Sequence, residues 1–170
     1  MAHKTQMDFV RRTRERFPER FTDCRVLEIG SLIIAGSVRG LFKRCRYEGC
    51  DLGEGEGVDI VCPAHKLEQR EAYYDTIISC EALEHDSFWS KTLDHATTML
   101  SPGGLLVLTW AGQKRKEHGT HDHTPQDAPF TNGYYYAPSM YEVASRLWGR
   151  MSQQQTEESG GDRYYWGVKA

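Results

Sequence analysis

Residues 26–37 read VLEIGSLIIAGS. An apolar run stops at Glu28-Ile29-Gly30, and Gly36 follows in the same stretch. An apolar run closed by glycine predicts a short buried strand, here over residues 25–29. Glycine at its end lets the chain turn sharply and lets a ligand approach the backbone with no Cβ in the way. Alone, the turn reads equally as a strand-to-helix loop with incidental glycines, because the G-x-G-x-x-G spacing of dinucleotide-binding turns is absent.

Working outward, apolar and basic residues recur at helical spacing over residues 6–17, which predicts an amphipathic helix ending near Pro18. Val38, Leu41 and Phe42 predict a short helix over residues 36–43. RYEGCD (46–51), VDIVC (58–62) and YDTIISC (74–80) read as strands, with a short polar helix over 66–72. Residues 87–100 place Phe88, Leu93, Ala96 and Leu100 on one helical face, and Pro102-Gly103-Gly104 breaks that pattern before the apolar strand LLVLTW (105–110). Residues 111–137 lose periodicity and collect Gly, His, Pro, Asn and Tyr. A loop of this length in a compact domain is usually functional or disordered. Helical spacing resumes over 138–150, and SQQQTEE and RYYWGVK flank Ser159-Gly160-Gly161, a hairpin signal. Strands alternating with helices imply an α/β fold of βαβ units, a Rossmann-like doubly wound, mostly parallel sheet with helices on both faces. Ligands in such sheets sit at the carboxyl ends of the strands.

The chain has 170 residues, 39% hydrophobic and 26% charged, with a net charge of −3. That length reads as one domain, divided into a lead-in (1–23), a core (24–110), a substrate loop (111–137) and a final helix and hairpin (138–170). The net charge gives no global attraction to nucleic acid or acidic membranes, and the basic clusters at 11–16, 43–46 and 113–116 read as solvated faces. No apolar stretch reaches the length of a membrane span, and the opening residues lack the apolar segment of a secretory signal. Cysteines 24, 45, 50, 62 and 80 lack CxxC spacing and suit reduced thiols in a cytoplasmic compartment. The four tryptophans, at 89, 110, 148 and 166, read as core and edge packing.

Asp51 ends the second expected strand, about twenty residues after the glycine turn, where an acid accepts hydrogen bonds from ribose hydroxyls in nucleotide-binding βαβ units. A turn aspartate before Gly53 is the competing reading; with the glycine turn beside it, the ribose reading prevails. VLEIGS, YEGCDLGEGEGVDIV, YDTIISCEALEHD and LSPGGLLVLTW, in this order, resemble the motifs of class I S-adenosylmethionine-dependent methyltransferases, of the small type with a Leu-Glu-His fourth-strand motif. The resemblance covers residues 24–110 and implies a seven-stranded sheet with a C-terminal antiparallel hairpin. It assigns Glu28, Gly30 and Ser31 to the methionine part of the cofactor, with Gly36 closing the loop. Asp51 would hold the ribose beside Leu52, and Ala64 and His65 would lie along the adenine. Cys80, Glu81 and Ala82 would pass under the sulfonium, with His85 a turn further on. The sequence departs from the family at Leu32, in place of the second glycine, and at Pro63, where an acid often binds the adenine amine. Adenine recognition then rests on backbone groups or His65.

Methyl transfer from a sulfonium needs alignment above all, and a base only when the acceptor is protonated. His85 reads either as an acceptor contact or as a helix cap with Asp86 and Ser87. His118, His121 and His123 in the 111–137 loop read as a metal site, as part of a substrate lid backed by Tyr134 to Tyr136, or as a polar surface. Position beside the cleft favours the lid, so His85, His121 and His123 are the catalytic candidates and no metal site is assigned. The expected function is methyl transfer from S-adenosylmethionine to an unidentified acceptor, a small molecule or sugar in preference to nucleic acid. A nicotinamide-dinucleotide oxidoreductase and a non-catalytic module of the same fold are the alternatives.

Overall fold

The computed structural model describes residues 4–68 and 70–170. Seven strands form one sheet: β1 (Arg25–Ile29), β2 (Arg46–Asp51), β3 (Ile60–Val61), β4 (Tyr74–Cys80), β5 (Leu100–Ala111), β6 (Met151–Ser159) and β7 (Asp162–Lys169). Their order is β3-β2-β1-β4-β5-β7-β6. The first five run parallel, and β7 enters antiparallel between β5 and β6. The described α-helices are α1 (Lys4–Arg16), α2 (Trp89–Met99) and α3 (Met140–Leu147). Among the described residues no helix is long and apolar enough to cross a membrane.

Period-two alternation divides the core between the two faces of the sheet. Leu27, Ile29, Ile77, Leu106, Leu108, Trp110 and Tyr165 pack under Leu93, Ala96 and Met99 of α2 and Val143 and Leu147 of α3. Val26, Ile78, Cys80, Leu105, Val107, Tyr164 and Trp166 pack under Phe9 and Val10 of α1. Each fully buried aliphatic side chain contributes about 1.5–3 kcal/mol, so both faces matter to stability. At the amino ends of β1 and β4, Asp75 accepts from the Arg25 backbone N–H at 2.8 Å and from its guanidinium at 2.9 and 3.0 Å. A capping box starts α3: the Ser139 hydroxyl accepts from Glu142 N, and Glu142 accepts from Ser139 N.

The helix expected over 36–43 is a single 3₁₀ turn at Arg39–Leu41. Gly36 and Gly40 and the β-branched Ile33, Ile34 and Val38 oppose helix propagation; Val38, Leu41 and Phe42 anchor the segment to the core. The polar helix expected over 66–72 is likewise a 3₁₀ turn, Ala64–Lys66; residue 69 lies outside the described residues. Pro102-Gly103-Gly104 does not separate α2 from its strand. The helix ends at Met99, β5 begins at Leu100, and the triplet lies in the strand, with Gly103 at φ +73° and a register shift opposite Tyr74 and Thr76. Trp148 is 78% exposed, unlike the buried Trp110 and Trp166. Arg115, in the basic cluster expected to be a solvated face, is ion-paired to Glu81 and Asp162.

Glu28 points into the α1 side of the sheet and accepts from the Tyr47 hydroxyl at 2.8 Å. Burial pushes its carboxyl up to about 7, from an ordinary 4.5. The folded chain therefore holds a proton there that the unfolded chain has released between these values, and Glu28 makes stability fall as pH rises through that window. Replacing it with neutral Glu28→Gln removes this dependence. Relative to the parent protein, the variant should gain up to about 3 kcal/mol on going from pH 4 to pH 8 in urea unfolding. A difference between the two proteins that does not change with pH would contradict this.

Candidate functional site

The carboxyl ends of β1, β2 and β4 meet at Gly30. Its φ of +75° is readily reached by glycine, and a Cβ there would lie 2.2 Å from the Ala82 Cβ. The turn is held from β2: Gly30 N and Ser31 N both donate to the Cys50 carbonyl, at 2.9 and 3.2 Å. Asp51 then fastens the loop. Its Oδ2 accepts from Leu32 N at 2.9 Å and its Oδ1 from Leu52 N at 2.7 Å. The departure at Leu32 is thereby accommodated, since its backbone N–H is gripped by the carboxylate that the sequence places at the ribose position. Each Asp51 oxygen retains acceptor capacity beyond these bonds.

These tips line a cavity of about 310 Å³. Gly30, Asp51, Leu52, Ala64, His65, Glu81, Ala82 and His85 all line it, as do Leu32 and Pro63. Ile34, Leu52, Phe88 and Phe130, between 38% and 47% exposed, stand on its rim. Such a cluster of exposed apolar groups suits the face of a flat ring. The Nδ1 of His65 is buried without a hydrogen-bond partner among the described residues, and its ring lies 4.3 Å from that of Phe88. Sequence reasoning did not reach residues 127–132 of the long loop, which close the cavity from above. Phe130 lies so close over Gly53 that a Cβ there would come within 2.3 Å of its ring.

Four expected cofactor residues stand outside this cavity's lining. Glu28 and Cys80 point to the α1 side of the sheet; burial pushes the Cys80 thiol up to about 12, so it is a neutral packing group. Ser31 is buried beneath the 51–57 loop, where a Cβ at Gly49 would meet its side chain, and Gly36 lies further along the first loop.

Beyond Glu81 a second cleft opens under the 111–137 loop, lined by Glu81, His85, Arg115, His118, His123 and Asp127 among others. The loop is tied to the sheet, with Tyr136 N donating to the Glu84 carbonyl at 2.8 Å and Trp110 Nε1 to the Pro138 carbonyl at 2.8 Å. Glu81, at φ +53°, carries backbone strain of the kind that collects at functional sites. Its Oε2 accepts from Arg115 at 3.0 Å, while its Oε1 is buried and unpartnered among the described residues. Burial and the neighbouring Glu84 hold its carboxyl well above the ordinary range, and burial raises that of Glu84. Burial pushes His85 and His118 below the usual imidazole value. His85 is no helix cap: Asp86 accepts from Phe88 N and from the Thr92 hydroxyl at the start of α2. His121 lies outside both cavities, against Gly133. Glu84 and Arg115 were not singled out, because nothing in EALEH or QKRK signals that a distant loop buries them.

The sequence matches the family model described as a methyltransferase domain over residues 1–144. No curated protein sequence matches the chain. Among solved structures, the fold is similar to that of a Burkholderia thailandensis 1,6-didemethyltoxoflavin-N1-methyltransferase with bound S-adenosylhomocysteine. The TM-score is 0.68 at 16% identity, over 96% of this chain and 78% of that one. It is also similar to a Haemonchus contortus phosphoethanolamine N-methyltransferase 2 bound to S-adenosyl-L-methionine, with a TM-score of 0.60 at 17% identity. That match covers 93% of this chain and 52% of that one, so this chain spans about half its length. A putative S-adenosylmethionine-dependent methyltransferase from Listeria monocytogenes matches with a TM-score of 0.65 at 11% identity, over 98% and 100% of the two chains.

The crossing at Gly30 yields a stability test with an internal control. Gly30→Ala should cost about 1–3 kcal/mol in chemical denaturation, through both its φ and its approach to Ala82. Gly40→Ala, with nothing within 4 Å of the new Cβ, should fall within about 0.5 kcal/mol of the parent. Equal effects of the two would contradict the close approach.

Proposed function

We propose that this chain, which belongs to the methyltransferase-domain family and is an S-adenosylmethionine-dependent methyltransferase, methylates a small acceptor held under its 111–137 loop. The observation that carries this reading is that Glu81 and His85 line both the strand-tip cavity and the loop cleft. A cofactor in the first would present its methyl group toward an acceptor in the second. The neighbours bound to S-adenosylmethionine or its demethylated product support the cofactor.

In this reading Asp51, already fixed by two backbone N–H groups, accepts the ribose hydroxyls. Gly30 and Ala82, packed against each other on the cavity lining, lie beside the chain carrying the sulfur, and His65, Leu52, Phe88 and Phe130 surround the base. The cofactor supplies an activated methyl carbon; the protein holds acceptor, carbon and sulfur in line and keeps water from the junction. The acceptor is read as small because the loop is hydrogen-bonded down at both Tyr136 and Trp110, which walls the cleft against a long polymer.

In calorimetric titration, S-adenosylhomocysteine should bind the parent protein, and Asp51→Ala should weaken it by about 1–3 kcal/mol, the range for a lost charge-assisted hydrogen bond. NAD and NADP should give no comparable thermal stabilisation. Unchanged affinity in Asp51→Ala, or tighter binding of the dinucleotides, would contradict the assignment.

A further inference from the structure

Methyl transfer as described leaves one group of side chains unused. Glu84, His85 and His118 each present a ligating atom, and these atoms all lie within 4.8 Å of one another. The Nε2 of His118 is 4.0 Å from Glu84 Oε1, and the His85 and His118 rings meet edge to face at 5.0 Å. Glu84 is fully buried. Its Oε1 accepts from Ala111 N at 3.1 Å, and its Oε2 has no hydrogen-bond partner among the described residues. The hydroxyl of Tyr135, whose ring packs against both histidines, is likewise buried and unpartnered among the described residues. Orphaned oxygens gathered in one buried place call for a partner.

The two histidines are also oriented from behind. His85 Nδ1 lies 3.3 Å from the Tyr134 carbonyl, and His118 Nδ1 lies 3.1 Å from the Lys116 carbonyl. A carbonyl can only accept, so these contacts favour the Nδ1–H form of both rings and leave each Nε2 lone pair free. That arrangement, a ring N–H donated to a backbone carbonyl behind the ligating nitrogen, is how histidine ligands are held in metal sites. Glu84 and His85 are fixed by the 3₁₀ turn Leu83–His85, in which His85 N donates to the Ala82 carbonyl at 3.1 Å.

We infer that Glu84, His85 and His118 bind one divalent first-row transition-metal cation. Two imidazole nitrogens and one carboxylate oxygen suit zinc, cobalt or iron, whereas calcium and magnesium favour oxygen shells. Three protein ligands leave coordination positions open, and the cleft lined by His85 and His118 gives access to them.

The inference extends to the acceptor, and that extension rests on the methyltransferase reading. A cation at this junction selects an acceptor hydroxyl. The hydroxyl oxygen binds the cation and releases its proton to solvent. It then forms a bond to the methyl carbon as the carbon–sulfur bond breaks, and that electron pair stays on sulfur as the neutral thioether.

The test uses the full chain, stripped with a chelator, dialysed, and titrated with Zn²⁺ or Co²⁺. One equivalent should bind, and cobalt should show visible absorption bands of a low-coordinate site. His118→Ala and Glu84→Gln should each weaken binding at least tenfold. Glu84→Gln keeps the shape of the side chain, and His118 sits in the loop outside the sheet, so both leave the fold standing. Absence of saturable one-to-one binding, or binding in both variants as tight as in the parent protein, would overturn the site. S-adenosylhomocysteine titrated into the same samples separates the two readings. Cation binding without nucleoside binding would support the site while overturning the hydroxyl-acceptor extension.

Discussion

Gly30 is where three strand ends are brought into contact, and the carboxylate of Asp51 is what keeps them there. A glycine in the left-handed region lets β1 turn against Ala82 at the tip of β4. The loop that follows has no helix to stiffen it, since Arg39–Leu41 makes only one 3₁₀ turn. Its conformation is set instead by backbone donation to Asp51 and to the Cys50 carbonyl. A dipeptide at the end of β2 thus carries much of the organisation that a first helix commonly supplies in folds of this kind.

The same sheet end holds an accumulation of buried carboxyl groups that is costly to fold. Glu28, Glu81 and Glu84 are all buried, and burial raises each above its ordinary range. Glu28 has Tyr47, and Glu81 has Arg115, which also pairs with Asp162. Glu84 has the Ala111 backbone N–H and an imidazole 4.0 Å away. The cost is concentrated where Glu81 also adopts a positive φ, and strain retained at one place in a well-packed protein points to function there.

The parallel strands were legible because RVLEI, YDTIISC and LLVLTW are β-branched or aliphatic runs bounded by glycine or acid, and the hairpin because Gly160-Gly161 separates two alternating segments. The helix over 36–43 was not, since three apolar residues at helical spacing are outweighed by glycines that a pattern alone does not weigh. Gly30 and Asp51 could be read from their places at strand ends, and with them Leu52, Ala64, His65, Glu81 and Ala82 fall into one cavity. Glu28 was assigned to the cofactor by resemblance alone; by period-two alternation it shares a face of β1 with Val26 and stands outside the cavity's lining. Sequence reading did not reach which of the loop's side chains face inward. Which of its histidines faces inward depends on how residues 134–138 are tied to Glu84 and Trp110, contacts that span tens of residues and follow no period. Sequence reading preferred His121 and His123 there, whereas His118 is the one whose ring meets His85.

The central claim is that the strand tips around Gly30 and Asp51 form the seat of a sulfonium nucleoside. A crystal structure of the chain with S-adenosylhomocysteine tests it most directly. The account predicts density for the ligand across the tips of β1, β2 and β4, its ribose hydroxyls on Asp51, its base among Leu52, His65 and Phe130, and its sulfur beside Glu81. Ligand seated elsewhere, with Asp51 bonded only to Leu32 and Leu52, would contradict it.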